Sequence, residues 1–371
     1  MDGDLKLQNV QWLRFFAAML VLLYHFNGYY RELGGRLSEK LMLFGFTGLD
    51  LFFVISGVVI WRSTRHLAGI VDALEFLFRR AARIYPVYWI VLCAYLVACS
   101  WIGGPLPDFD VAGSFLLLPL DLTKYVIGPA WTLPYELIFY SFFALLICCA
   151  GRARDLVLLL ALIAIAASVL AGIDNSTIPH ICLSYFVEFI LGCFAIKICE
   201  MTRGALAVVS LLFGALWLVV AVAFEIKAGD VFGSGVQRVF AFGPPAVAFV
   251  YAALALEVRN RLVAPRWLAR TGDWSFSLYI LHQLAVLLFL PLGGIVIFRI
   301  PITLRYFVFA GIIMAVVGVS ALFAEFVDLP LYRWFKKFSL DGLRWSGEAQ
   351  TPGETAAREA QALSAIPGDT Q

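Results

Sequence analysis

Charge is scarce in this chain. Asp, Glu, Lys and Arg make up 15% of its 371 residues, against about a quarter in an ordinary soluble domain. The formal net charge is only +2, and the basic residues fall in short clusters between apolar runs, which leaves no cationic stripe for a nucleic acid to follow. There is no G-x-S-x-G elbow, no H-E-x-x-H, no Walker loop and no G-x-G-x-x-G, so serine-hydrolase chemistry and nucleotide hydrolysis are both disfavoured. The seven cysteines show no C-x-x-C pair and lie in or beside apolar stretches. They read as small core hydrophobes, and no metal site is expected. The first apolar run also lacks a small-residue cleavage pattern, which argues for a retained span rather than a signal peptide.

What fills the chain is apolar surface, with 62% hydrophobic residues and a mean hydropathy of +0.87. About 20 apolar residues cross a bilayer as a helix, and runs of that length recur up to about residue 328. The reading is an all-α polytopic integral membrane protein of about ten transmembrane helices, at 10–30, 41–61, 84–102, 133–150, 156–173, 181–199, 206–224, 239–256, 276–298 and 304–326. Most of the 28 Lys and Arg residues fall on one side when both termini are cytoplasmic, and that side is the one that holds the excess in membrane proteins. Residues 1–338 form one transmembrane domain, and the polar tail 346–371 reads as disordered and cytoplasmic. The loop 103–130 is expected to cap the far face.

Ionisable groups inside such spans cost about 2.5 to 3.5 kcal/mol each on insertion scales, so each marks a possible functional site. Arg14 and His25 share one helix and, at about 100° per residue, come within about 20° of the same face. Snorkelling and an interfacial hydrogen bond would also account for them. Asp50 opens the run Gly48-Leu-Asp50-Leu-Phe-Phe-Val-Ile-Ser56-Gly57, where it either caps its helix or pairs with a neighbouring cation. The Ser56-Gly57 step suits close helix packing. Arg79, Arg80 and Arg83 cluster before Ile-Tyr85-Pro86, a guanidinium surface suited to phosphate or to simple anchoring at the interface. Glu136 closes Trp131-Thr-Leu-Pro-Tyr-Glu136, and His282 closes Ser275-Phe-Ser277-Leu-Tyr279-Ile-Leu-His282.

In this order, Leu-Arg14 with His25 eleven residues on, the Gly48-x-Asp50 run, Arg80-Ala-Ala-Arg83, Trp131 to Glu136 and Ser275 to His282 resemble the membrane acyltransferase-3 family of O-antigen, exopolysaccharide and Nod-factor acetylases. The resemblance covers about residues 7–335. It implies an O-acyltransferase of the bacterial inner membrane that takes an acyl group, usually acetyl, from acyl-CoA and passes it to a hydroxyl of a carbohydrate or lipid-linked glycan, with membrane lipid around it. Arg14, His25 and the Arg80/Arg83 pair match positions the family treats as functional. On that basis Arg80, Arg83 and Arg79 are expected to hold the phosphates of acetyl-CoA. His25 acts as general base, Arg14 guides the donor, and Asp50 or Glu136 orients His25. Trp131, Ser277 and His282 are expected on the substrate side, with His282 either a second base or a structural hydrogen-bonding group. A transporter, or a non-catalytic component of polysaccharide assembly, remains the competing reading.

Overall fold

In lipid, a backbone must satisfy its own hydrogen bonds, which helices do within one segment. The computed structural model describes residues 7–26, 42–102, 108–149, 152–171, 183–228, 235–297 and 301–338, and among them every regular element is a helix. In chain order these are α1 (Gln8–His25), a 3-10 turn (Phe44–Thr47), α2 (Gly48–Thr64), α3 (Ile70–Ile102) and α4 (Val111–Leu116). After the 3-10 turns Leu122–Lys124 and Gly128–Trp131 come α5 (Thr132–Ile147), α6 (Arg152–Leu170), α7 (Ser184–Thr202), α8 (Ala207–Ala228) and α9 (Gly235–Val258). The chain then runs through α10 (Arg266–Arg270), the 3-10 turn Thr271–Trp274, α11 (Ser275–Ile297), α12 (Ile302–Phe323), a π-turn Ala324–Asp328 and α13 (Leu329–Phe335). A helix coincides with each of the ten expected spans, and six stretches among the described residues are long and apolar enough to cross a membrane. The expected tail at 346–371 lies outside the described residues.

Helix ends are secured across the bundle. The first N–H groups of α1 have no partner within their helix. Glu257 of α9 supplies one, accepting from the amides of Gln8 at 2.6 Å and Asn9 at 3.0 Å. Arg154 of α6 does the converse for carbonyls. It donates to Thr64 at 2.9 Å, Ile147 at 3.2 Å and Cys149 at 3.1 Å, and also to Leu67. One guanidinium therefore finishes α2, α5 and the turn into α3.

α2 and α7 cross at Gly57 and Gly192. A Cβ at Gly57 would stand 2.0 Å from the Phe189 carbonyl oxygen, and one at Gly192 would stand 2.1 Å from that of Val54. The backbones themselves are in contact there, as small residues permit in membrane bundles.

Two features depart from the sequence reading. α3 is one continuous helix of 33 residues through Pro86, about 50 Å at 1.5 Å per residue, and starts well before the expected span at residue 84. The arginine triplet is thus carried on the same rod as the span. The loop after α3 does not merely cap the far face. Its α4 segment folds back along α3, where Tyr88 donates to the Ser114 carbonyl at 2.8 Å, Trp89 to that of Phe115 at 2.9 Å and Tyr85 to that of Leu116 at 3.0 Å. Trp89 lies about 20 Å back along the axis from Ile102. Aromatic donors on α3 satisfy carbonyls that a short helix leaves open, which is what makes this inward path tolerable.

Candidate active site

A cavity of about 390 Å³ lies among α1, α2, α3, α5, α11 and α13. One end is lined by Arg79, Arg80, Arg83 and Lys336. The three arginines are not equivalent. Arg79 pairs with Glu75 one turn earlier. Arg83 pairs with the buried Asp328 of the π-turn, and its guanidinium lies 5.4 Å from the ring centroids of both Phe276 and Tyr332. Ser277 holds the second oxygen of Asp328 at 2.8 Å. Arg80 hydrogen-bonds the Ser63 hydroxyl at 3.0 Å and lies over Phe76 and Tyr140 at 5.2 and 5.4 Å. Its partners are neutral, so among the three it keeps the most charge to offer an anion.

Midway along the wall, Glu136 accepts from Tyr140 and, at 3.4 Å, from Ser56. Arg14 also lines this cavity, with Gln11 accepting from it at 3.3 Å.

The other end closes on Leu49, Phe52, Thr132 and Tyr279. Beyond it, Nε2 of His282 lies 3.2 Å from Nδ1 of His25. Nδ1 of His282 is 3.2 Å from the Leu278 carbonyl oxygen, and Nδ1 of His25 is 2.9 Å from that of Val21. A carbonyl can only accept, so each Nδ1 carries hydrogen. A neutral His282 then presents a bare Nε2, a second and more distant acceptor for the one Nδ1 hydrogen that His25 also gives to Val21, and a neutral His25 keeps its lone pair on Nε2. The Val21 carbonyl and Nε2 of His282 together hold His25 in the tautomer whose Nε2 can take a proton.

Residues 7–324 match a family profile described as an acyltransferase domain. The chain belongs to the acyltransferase-3 family. It is 28% identical over 314 residues to the exopolysaccharide production protein ExoZ of Rhizobium meliloti (strain 1021), an alignment that covers 78% of this chain and 90% of that protein. No solved structure matches the chain.

In this acyltransferase the motif residues do not all converge. Arg14, Arg79, Arg80, Arg83 and Glu136 line one cavity, and His25 meets His282 across α1 and α11. Asp50 does not orient His25. Both its oxygens accept from Arg238 of α9, at 3.3 and 3.0 Å, because the register of α2 turns Asp50 toward α9 and α7. Glu136 is likewise engaged by Tyr140 and Ser56 rather than by His25. Ser277 faces Asp328, away from the cavity lining. Trp131 packs its ring 5.7 Å from those of both Tyr135 and Tyr185.

The sequence reading passed over Arg238, Asp328, Tyr140 and Glu188. Glu188 is fully buried within reach of the Asp50 carboxylate. A carboxylate inside an expected span at 181–199 was itself the signal. Arg238 lay one residue outside an expected span, and Asp328 two residues beyond the last.

Proposed function

We propose that this acyltransferase moves an acetyl group from acetyl-CoA to a hydroxyl of a surface exopolysaccharide sugar or its lipid-linked precursor, in the inner membrane of a bacterium. The observation that carries this is a cavity that runs from an arginine surface to the ring of Tyr279, which lies 6.0 Å from that of His282 in the histidine pair. Arg80 is the principal ligand for the CoA phosphates, assisted by Arg79 and by Arg83, and Arg14 guides the donor along the wall. His25, held in one tautomer by the Val21 carbonyl and His282, takes the proton of the acceptor hydroxyl as that oxygen attacks the thioester carbon. The C–S bond breaks and the proton passes to the departing CoA sulfur. A neutral imidazole is suited to this exchange near neutral pH. No metal is required.

The same reading takes all ten helices as spans with both termini in the cytoplasm, which puts the arginine end on the side where acyl-CoA is found. Glycan as acceptor draws on the exopolysaccharide role in the relative's name.

The test is the O-acetyl content, by proton NMR, of surface polysaccharide from a null strain complemented with the wild-type chain or with His25→Ala at matched membrane levels. Acetyl signals restored by the wild type alone support the reading. Equal restoration by both sinks the role of His25.

A further inference from the structure

His25 and His282 are not among the residues that line the cavity. Between the pair and the cavity lies a small apolar cluster of Val21, Leu49 and Tyr279, with Phe52 and Trp131 packed against it. Leu49, Phe52 and Tyr279 form the cavity's end. The ring of Tyr279 is 6.0 Å from that of His282 on its other side. This ring forms the end of the cavity on the side of the histidine pair.

Tyr279 is also the best-anchored member of that end wall. Its hydroxyl donates to the Pro129 carbonyl at 2.5 Å and is 2.7 Å from the Thr132 hydroxyl, which donates in turn. Pro129 belongs to the 3-10 turn Gly128–Trp131, and Phe52 meets the Tyr279 ring edge-on at 5.7 Å. Both anchoring groups precede or open α5. Rotating the ring out of the way forfeits both hydrogen bonds and the packing.

We propose that Tyr279 sets the upper size of the transferred acyl group, an inference that rests on the acyl-CoA reading above. For the thioester carbon to meet an oxygen activated by His25, the acyl group must occupy the space against this wall. A two-carbon group asks little of it. Each added methylene must displace a fixed ring, and discrimination at one methylene in an apolar pocket runs to about 10 to 200-fold. The transferred class is therefore short, unbranched acyl groups, acetyl before propionyl and butyryl.

The test uses the full-length protein in lipid nanodiscs, with acetyl-, propionyl- and butyryl-CoA compared by kcat/KM. Tyr279→Ala, which removes the ring, is expected to raise the butyryl-to-acetyl ratio at least about tenfold. Leu49→Ala widens the same wall without touching the hydrogen bonds and is expected to move the ratio the same way. Tyr279→Phe, which keeps the ring, should keep the wild-type ratio. Leu49→Ala carries the test alone where Tyr279→Ala does not elute as a monodisperse species. An unchanged ratio in folded Leu49→Ala and Tyr279→Ala overturns the assignment and leaves the acyl-CoA reading intact. A wild type that accepts no acyl-CoA at all overturns both.

Discussion

Nδ1 of His25 and Nε2 of His282 face each other at 3.2 Å across two helices that are 257 residues apart in the chain. In many sites a carboxylate holds the general base. In the proposed mechanism an imidazole does so, anchored in turn by the carbonyl of its own helix. A neutral orienter carries no charge to stabilise an imidazolium, so its contribution is to tautomer and direction.

His282→Ala is therefore expected to lower kcat by about 10²–10⁴, the usual scale of general-base assistance, with little change in KM for acetyl-CoA. Groups that act as a unit are far from additive. The double variant with His25→Ala should be about as slow as His25→Ala alone. Transfer of labelled acetyl in reconstituted membranes measures all three, and additive losses would show that the residues act separately.

Arg80 faces the cavity with only neutral partners. Replacing it with alanine is expected to raise KM for acetyl-CoA by about 10 to 150-fold, the equivalent of a hydrogen bond to a charged group at about 1.5–3 kcal/mol. Acetyl-pantetheine, which lacks the nucleotide, should be used equally well by wild type and variant. If the variant loses the same factor with both donors, Arg80 does not read phosphate.

Asp328→Asn removes the countercharge of Arg83 while keeping the shape of the side chain. Breaking a buried pair from one side costs about 3–5 kcal/mol. The variant is expected to melt well below the wild type in detergent, and Ser277→Ala, which loses one neutral hydrogen bond to the same carboxylate, should melt much closer to it. Equal melting of all three would show that the pair is solvated.

Gly57→Ala and Gly192→Ala are expected to abolish folded protein, since each new methyl would overlap a backbone carbonyl oxygen. Gly311→Ala, with nothing within 4 Å of its Cβ, serves as the control and should express as wild type. Yield of monodisperse protein on size exclusion is the readout.

The helices were legible because lipid leaves an unbroken apolar signature, and a helix is found at each of the ten expected places. Their ends were less so. Residues 70–83 are amphipathic, so hydropathy stopped at residue 84 although neither Gly nor Pro interrupts the helix before Pro86. The site was legible as a set of side chains but not as a set of contacts. The spacing of Arg14 and His25 could place them on one face of α1, while the partners of Asp50 depend on which helix packs beside α2. That partner, Arg238, comes 188 residues later. The same holds for His282, whose place beside His25 depends on α11 lying against α1.

The carbonyls gathered by Arg154 carry a consequence for biogenesis. Thr64 and Leu67 end the second helix and begin the turn to the third, yet their acceptor needs are met by a side chain 90 and 87 positions later. The ribosome therefore completes α2 and the turn into α3 well before the residue that ties them to the end of α5 has been translated. Thr64 already accepts from the Leu67 amide at 3.0 Å, but the Leu67 carbonyl lacks this donor until Arg154 arrives, so the turn into the arginine-bearing rod is completed by the docking of the helix that follows α5.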